Sequence, residues 1–166
     1  FLNGGPLPAG IDVPSCIEIV DLPPLGTNDG HALVSRGAEQ DIGAIRAQRR
    51  ATILATLDAV RPDVLMVELF PFGRKKFAFE LLPLIKAARR GVRGRVPRVV
   101  SSLRDLLVSA RPDQQAHDDR ASWLCRRYFD AVLVHADPVL ARLEDTFRPR
   151  RAPGVPIHYT GFVVPD

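Results

Sequence analysis

Residues 61–74 read RPDVLMVELFPFGR, and this stretch decides the fold class. Pro62 disfavours helix in the residue before it, so it ends the helical pattern that precedes it. The apolar run over Val64–Leu69 has the length and composition of a strand that is buried on both faces. The stretch therefore predicts a helix, a sharp stop and a buried strand.

Helices are predicted on either side of this strand. The helix before it covers roughly 42–60, with Asp41 as its N-cap and its apolar residues near one face. The helix after it covers Lys75–Arg90, where Pro83 must kink it or mark a fresh start. A third is predicted over 115–129, with Trp123, Leu124 and Phe129 facing the core. A fourth runs from the cap pair Asp137-Pro138 to about Phe147.

Further strands are predicted between these helices, over Arg98–Ser102, Ala131–His135 and Pro156–Thr160. Nearer the start, Ile17–Val20 is predicted to be a strand, and the stretch from Leu25 to about Gln40 a loop. Strands that alternate with amphipathic helices indicate right-handed crossovers and a parallel sheet covered on both faces. The predicted fold class is α/β, with a Rossmann-like parallel sheet and helices on both faces.

Composition narrows the classes of protein that the chain can represent. With 166 residues, 46% of them hydrophobic, it suits one domain with a sizeable core. No run of eighteen apolar residues occurs, so no segment is predicted to span a membrane. Cys16 and Cys125 lie in no CxxC pattern, so neither a metal site nor a disulfide framework is predicted, and a reducing cytoplasm fits. The start, FLNGGPLPAG, has no Met and no leader, so the chain is expected to continue upstream of Phe1.

The charge of +4 is concentrated in one basic stretch, which consists of Lys86, Arg89, Arg90, Arg93, Arg95 and Arg98. Such a stretch attracts nucleic acid or anionic lipid head groups. A solvated helix end and its loop give the same pattern, because cations in a last helical turn are favoured by the helix dipole. The second reading is preferred.

A candidate site is predicted where the parallel strands end, because ligands of open parallel sheets bind beyond the carboxyl ends of the strands. The residues there are Glu68, Phe72, Gly73 and Arg74 after one strand, Ser102, Arg104 and Asp105 after the next, His135 and Asp137 after the third, and Gly161 after the last. A carboxylate, two guanidiniums and an imidazole on one edge suit a polar, hydroxyl-rich or anionic ligand.

Each of these residues also has a reading without a ligand. Glu68 and Arg74 can pair with one another or cap the next helix, and Arg104 can pair with Asp105. Asp137 suits an N-cap better than a catalytic group, and His135 can hydrogen-bond to backbone. No Walker loop, GxGxxG loop or G-x-S-x-G elbow is present.

The ordered series LNGGPLPAGIDV…IVDLPPL, RPDVLMVELFPFGR, VVSSLRD, YFDAVLVHADP and HYTGFV resembles the amino-terminal half of predicted bacterial glycosyltransferases related to glycosyltransferase family 28. The resemblance implies a GT-B enzyme. In such enzymes one Rossmann-like domain holds a hydroxyl acceptor and a second holds the nucleotide sugar, and no metal or other cofactor is normally needed.

The resemblance also implies roles for individual residues. Glu68 and Arg74 would face the cleft, and Phe70, Pro71 and Phe72 would shape its wall. Phe72, Gly73, Arg74, Ser102, Arg104 and His135 would bind substrate, with Glu68 and Asp105 as stand-ins for the catalytic base. The acceptor can be lipid-linked or a polysaccharide, so the implied location is cytoplasmic, with peripheral contact at the inner face of the membrane. No nucleic acid partner is expected.

Two departures limit what this chain does by itself. Family members open with a strand and a glycine-rich, His-containing loop, whereas this chain is expected to begin after the second strand. It also stops where the linker to the nucleotide-sugar domain would start, so the chain alone is predicted to be inactive. The rival hypotheses are a non-catalytic α/β module whose basic surface engages an acidic partner or nucleic acid, and a nucleotide-binding Rossmann enzyme of another type.

Overall fold

The computed structural model describes residues 1–7, 10, 12–28, 32–36, 41–104, 107 and 111–163. In chain order its elements are β1 (Leu2–Asn3), β2 (Val20–Asp21), β3 (Leu25–Thr27), β4 (Leu33–Ser35), α1 (Ile42–Val60), β5 (Val64–Glu68), a 3-10 turn (Lys75–Phe77), α2 (Ala78–Arg90), β6 (Arg98–Leu103), α3 (Gln114–Tyr128), β7 (Ala131–Val134), α4 (Leu143–Thr146) and β8 (Ile157–Tyr159).

The largest sheet is parallel and has four strands in the order β5–β6–β7–β8. Consecutive strands are neighbours, and α2 and α3 form two of the crossovers between them. Parallel neighbours need such crossovers, because a tight turn can join only antiparallel strands. The predicted α/β class, with a parallel sheet flanked by helices, is confirmed.

The core lies against one face of this sheet. Strand positions on that face are buried, and apolar residues of α1, α2, α3 and α4 pack with them in two clusters. The strand residues that share the face are Val67, Val99, Leu103, Val132 and Val134. On the opposite face of the edge strand β5, Val64 and Met66 are 52% and 55% exposed, so the prediction that this strand is buried on both faces is wrong.

A buried ion pair joins the amino-terminal segment to the helices. Arg49 of α1 donates two hydrogen bonds to the carboxylate of Glu80 in α2, each at 2.7 Å. Its remaining nitrogen donates to the carbonyl of Pro23, just beyond β2, at 2.6 Å. This guanidinium therefore connects three parts of the chain.

The helix over 42–60 is confirmed, and so is its cap. The Asp41 carboxylate accepts from the backbone N–H of Ala44 at 2.9 Å. The helix after β5 begins at Ala78, after the 3-10 turn, and continues through Pro83 to Arg90.

Four further expectations from the sequence are wrong. The region from Leu25 onwards holds the antiparallel hairpin β3–β4, whose three-residue strands are too short to show alternation. Of Ile17–Val20, only Val20 is in a strand. Trp123 is 58% exposed, because it lies one residue away from the buried face that carries Leu124. The helix from Asp137 is only a turn, and α4 is four residues long.

The chain after Asp137 is divided between a single turn and the short helix α4. The Asp137 carboxylate accepts from the N–H of Val139 at 2.8 Å and closes one turn. A second cap then begins at Arg142, whose N–H donates to Asp145 at 2.8 Å. Leu143 and Phe147 of this second segment are buried, whereas Val139 is exposed.

Candidate functional site

The loop after β5 is held by its two aromatic residues. Phe70 is buried in the cluster formed with α1 and α2, and Phe72 in the cluster formed with α4, where its ring meets that of Phe147 edge-on at 4.9 Å. The Phe70 carbonyl also accepts from the Ser101 hydroxyl at 2.9 Å. The two buried rings therefore anchor the loop in the core, while the charged residues at its ends, Glu68 and Arg74, face solvent.

The backbone of this loop is tightly folded. Leu69 has φ +61°, and the N–H of Phe70 donates to the Glu68 carbonyl at 2.8 Å. The N–H of Gly73 returns to the Leu69 carbonyl at 2.7 Å. A Cβ on Gly73 would lie 2.8 Å from the Leu69 side chain, so any other residue here would force that side chain to shift. Phe72 and Gly73 thus shape the loop, and neither presents a side chain at its surface.

A carboxylate flanked by two guanidiniums stands at the edge of the sheet. Glu68 Oε2 lies 2.8 Å from Arg74 Nη2, and Glu68 Oε1 lies 3.3 Å from Arg104 Nε. All three side chains are substantially exposed. The pairing of Glu68 with Arg74 that the sequence left open is present, and Arg104 joins it. Asp105, the other candidate base, lies outside the described residues.

A hydrogen-bonded chain of side chains lies next to this charged group. Ser102 Oγ is 2.8 Å from His135 Nε2, and His135 Nδ1 is 2.7 Å from Thr160 Oγ1. The Thr160 hydroxyl donates in turn to the Gly161 carbonyl at 3.1 Å. Ser102, His135 and Thr160 lie at the carboxyl ends of β6, β7 and β8, so the hydrogen-bonded chain crosses three of the four strands of the sheet.

The ionic cluster around Glu68 and the hydrogen-bonded chain that begins at Ser102 are neighbours because of the strand register. Glu68 of β5 is the Cα partner of Ser102 of β6, and both lie on the sheet face that also carries Met66. Residues Glu68, Arg74, Ser102, Arg104 and His135 are therefore brought to one edge. Asp137 forms no hydrogen bond or ion pair with any of these described residues, and its carboxylate instead accepts from the N–H of Val139 within its own turn.

Thr160 was missed at the level of the sequence. It was assigned to the end of the last predicted strand, and only the following glycine was considered as a site residue. The rule that ligands meet the carboxyl ends of parallel strands would have included it.

Four of the six cations in the basic stretch contact aspartates. Arg89 and Arg98 contact Asp130, Arg93 contacts Asp58, and Arg95 contacts Asp63. These pairs lie toward the amino ends of the strands, away from the candidate site. A patch that carries its own counter-charges attracts polyanions less than a bare one.

Two features are absent from the residues that the structure describes. Within residues 1–7, 10, 12–28, 32–36, 41–104, 107 and 111–163, no group of three or more His, Cys, Asp or Glu residues could hold a metal ion. None of the helices in that part of the chain is long and apolar enough to cross a membrane.

Comparisons with known proteins identify no relative. No family model matches the chain, and neither a curated protein nor a solved structure matches it.

Proposed function

We propose that this chain binds a hydroxyl-bearing acceptor at the carboxyl edge of β5–β8, as the acceptor side of a bacterial GT-B glycosyltransferase. The observation that supports this most is the convergence of an ionic cluster and a hydroxyl–imidazole chain on one edge of a parallel sheet. Both groups are made of donors and acceptors that sugar hydroxyls can replace, and the position is where such sheets bind ligands.

In this proposal the acceptor hydroxyl attacks the anomeric carbon of a nucleotide-activated sugar held by a second domain. The C–O bond to the diphosphate breaks, the electron pair goes to the diphosphate, and a base takes the hydroxyl proton. Glu68 can be that base, because each of its carboxylate oxygens contacts one guanidinium and keeps a second lone pair for the hydroxyl proton. The proposed location is cytoplasmic, with peripheral contact at the inner face of the membrane.

The rival binding-module hypothesis has less support. Four of the six cations in the basic stretch that suggested it are already paired with Asp58, Asp63 and Asp130. A nucleic acid partner is therefore not proposed.

The test is titration of the ¹⁵N-labelled chain with sugars, followed by NMR. N-acetylglucosamine and glucose 1-phosphate are the acceptor-like probes, and UDP-glucose is the donor-like probe. We expect the acceptor-like probes to shift signals at residues 68–74, 102–104, 135 and 160. UDP-glucose should shift none beyond those that its glucose moiety moves, because the donor domain is separate.

The matched variants are Arg74→Ala at the site and Arg95→Ala at the opposite end of the sheet. Each removes one exposed arginine that is paired with a carboxylate. Loss of a charge-assisted hydrogen bond at the site should weaken sugar binding about tenfold, while Arg95→Ala should leave it unchanged. Shifts centred on Arg93 and Arg95, or saturable binding of the UDP moiety, would contradict the proposal.

A further inference from the structure

The side chains of Ser102, His135 and Thr160 have the arrangement by which enzymes activate a serine. In such sites a nucleophile contacts a base, and a third group orients the base. Here the two contacts measure 2.8 Å and 2.7 Å. We propose that Ser102 is a nucleophile for acyl transfer from carboxylic esters, with His135 as its general base and Thr160 as a positioning residue. This activity goes beyond acceptor binding and does not depend on it.

The proton of neutral His135 is placed on Nδ1 in this proposal, and the hydrogen-bond partners agree with this arrangement. The Thr160 hydroxyl donates its hydrogen to the Gly161 carbonyl, so the Thr160 oxygen accepts from His135 Nδ1–H. Nε2 is then unprotonated and accepts from Ser102 Oγ–H. This tautomer is the one in which the imidazole can remove the serine proton.

The fold holds these groups with little freedom. Ser102 lies within β6, so its backbone is fixed by the pairing of that strand with both neighbours, and its Oγ is held by the contact with His135 Nε2. The N–H of His135 donates to the Leu103 carbonyl at 2.9 Å, and the N–H of Thr160 donates to the Val134 carbonyl at 3.0 Å. Backbone bonds of three strands thus set the distances between the side chains, as pre-organised catalysis requires.

The surroundings favour an ester that carries a negative charge. Arg104 lies two residues beyond Ser102 on the same strand side and is 69% exposed at its side chain. It is held by Glu68, the register partner of Ser102. An anionic group on the substrate can take over that guanidinium, since arginine binds carboxylate and phosphate groups in a bidentate manner.

The reaction proceeds in two balanced steps. Ser102 Oγ attacks the ester carbonyl while its proton moves to His135 Nε2, and the alcohol leaves with that proton, which gives an acyl-serine. Water then attacks the acyl carbon, and His135 takes its proton and returns it to Ser102 Oγ. The products are the carboxylic acid and the alcohol.

The alternative is a purely structural role, in which these hydrogen bonds only link β6, β7 and β8. In that role they stabilise the sheet but give Ser102 no special reactivity. Reactivity is therefore the quantity that separates the two roles.

The experiment treats the 166-residue chain with a fluorophosphonate probe and maps the modified residue by peptide mass spectrometry. Attack by Ser102 forms an Oγ–P bond and expels fluoride, while His135 takes the proton. General-base assistance should make Ser102 in the native chain about 100-fold more reactive than in the urea-unfolded chain. The other serines serve as internal controls and should stay unlabelled. This comparison needs no variant, so a failure to fold cannot obscure it.

Variants then assign the roles, with circular dichroism as the check on folding. Ser102→Ala should abolish labelling, and His135→Gln should lower its rate about 100-fold. Thr160→Val should lower it as well, and Thr160→Ser, which keeps the hydroxyl, should restore it. Arg104→Gln should slow hydrolysis of 4-nitrophenyl hemisuccinate more than that of the neutral 4-nitrophenyl acetate.

Equal labelling of the native and unfolded chains would overturn the inference, and so would labelling that is independent of His135. None of these readouts contains a sugar. Loss of sugar binding with intact labelling would therefore reject only the proposed function, and the converse result would reject only this inference.

Discussion

Arg49 and Glu80 form a bidentate ion pair whose side chains are only 2% and 4% exposed. The pair lies between α1 and α2, and the same guanidinium also reaches the Pro23 carbonyl. Such a pair is weak evidence for stability by itself, but breaking it is costly because the remaining charge stays buried. The amino-terminal segment is therefore coupled to the helices through one side chain.

Arg49→Met should destabilise the chain by about 3–5 kcal/mol, because the Glu80 carboxylate is left buried without its partner. Urea unfolding at neutral pH measures the change. The matched control is Arg93→Met, which breaks an exposed Arg–Asp pair and should cost about 0–1 kcal/mol. Adding Glu80→Leu to Arg49→Met should recover part of the loss, and a double variant less stable than Arg49→Met would argue against this explanation.

The two cysteines should differ sharply in reactivity. Burial raises the pKa of the Cys125 thiol from 9.0 to about 12, whereas Cys16 is exposed. At pH 8, DTNB should react with one thiol per native chain and with two in urea, since the thiolate is the reactive form. Fast reaction of both thiols in the native chain would show that Cys125 is not enclosed.

The same shift predicts a loss of stability at high pH. A thiol whose pKa is raised on folding holds its proton more tightly in the folded chain. The contribution is fully present below the ordinary pKa of 9.0 and is lost as the pH rises through about 12. Cys125→Ala should flatten the decline of unfolding free energy over this range, compared with Cys16→Ala.

Phe72→Ala should destabilise the chain by about 3–5 kcal/mol, because a fully buried aromatic side chain is removed from the core. It should also loosen the loop that carries Glu68 and Arg74, which hydrogen exchange at residues 69–74 would detect. Phe162→Ala is the control, since Phe162 is 59% exposed and its replacement should change stability by no more than about 0.5 kcal/mol. Unchanged exchange in Phe72→Ala would contradict the anchoring role.

Arg61 ends α1 in the left-handed conformation, with φ +48°. Glycine adopts this conformation without the Cβ penalty, so Arg61→Gly should stabilise the chain by about 1 kcal/mol. Arg50→Gly, at an exposed position inside α1, should instead destabilise it by about 1 kcal/mol. Thermal unfolding of the two variants should therefore shift in opposite directions.

The main elements could be predicted because their signals are local. Asp41 caps α1 through its own side chain. Pro62 disfavours helix at Arg61, the residue that directly follows α1. Strands such as Ala131–Val134 are continuous apolar runs. The hairpin β3–β4 could not be found in this way, because three-residue strands have no period and depend on contacts elsewhere, such as the burial of Leu25.

Within the candidate site, the sequence indicated which residues follow the strands but not what they contact. From the sequence, Arg104 was a candidate to pair with its neighbour Asp105, yet in the structure it contacts Glu68 across the strand pair. Phe72 was assigned to a cleft wall, yet it fills the core. Both outcomes depend on strand register and on the path of the loop, which chain neighbours do not specify.

By itself, then, the sequence determined the α/β class, the cap and extent of α1, and the polar residues at the strand ends, since these follow from side-chain chemistry over a few residues. Only the tertiary structure decided that Ser102, His135 and Thr160 meet. They are separated by 33 and 25 residues and are brought within hydrogen-bond distance by the parallel register of three strands. That register arises from the packing of one sheet face against the helices, which is a property of the whole fold.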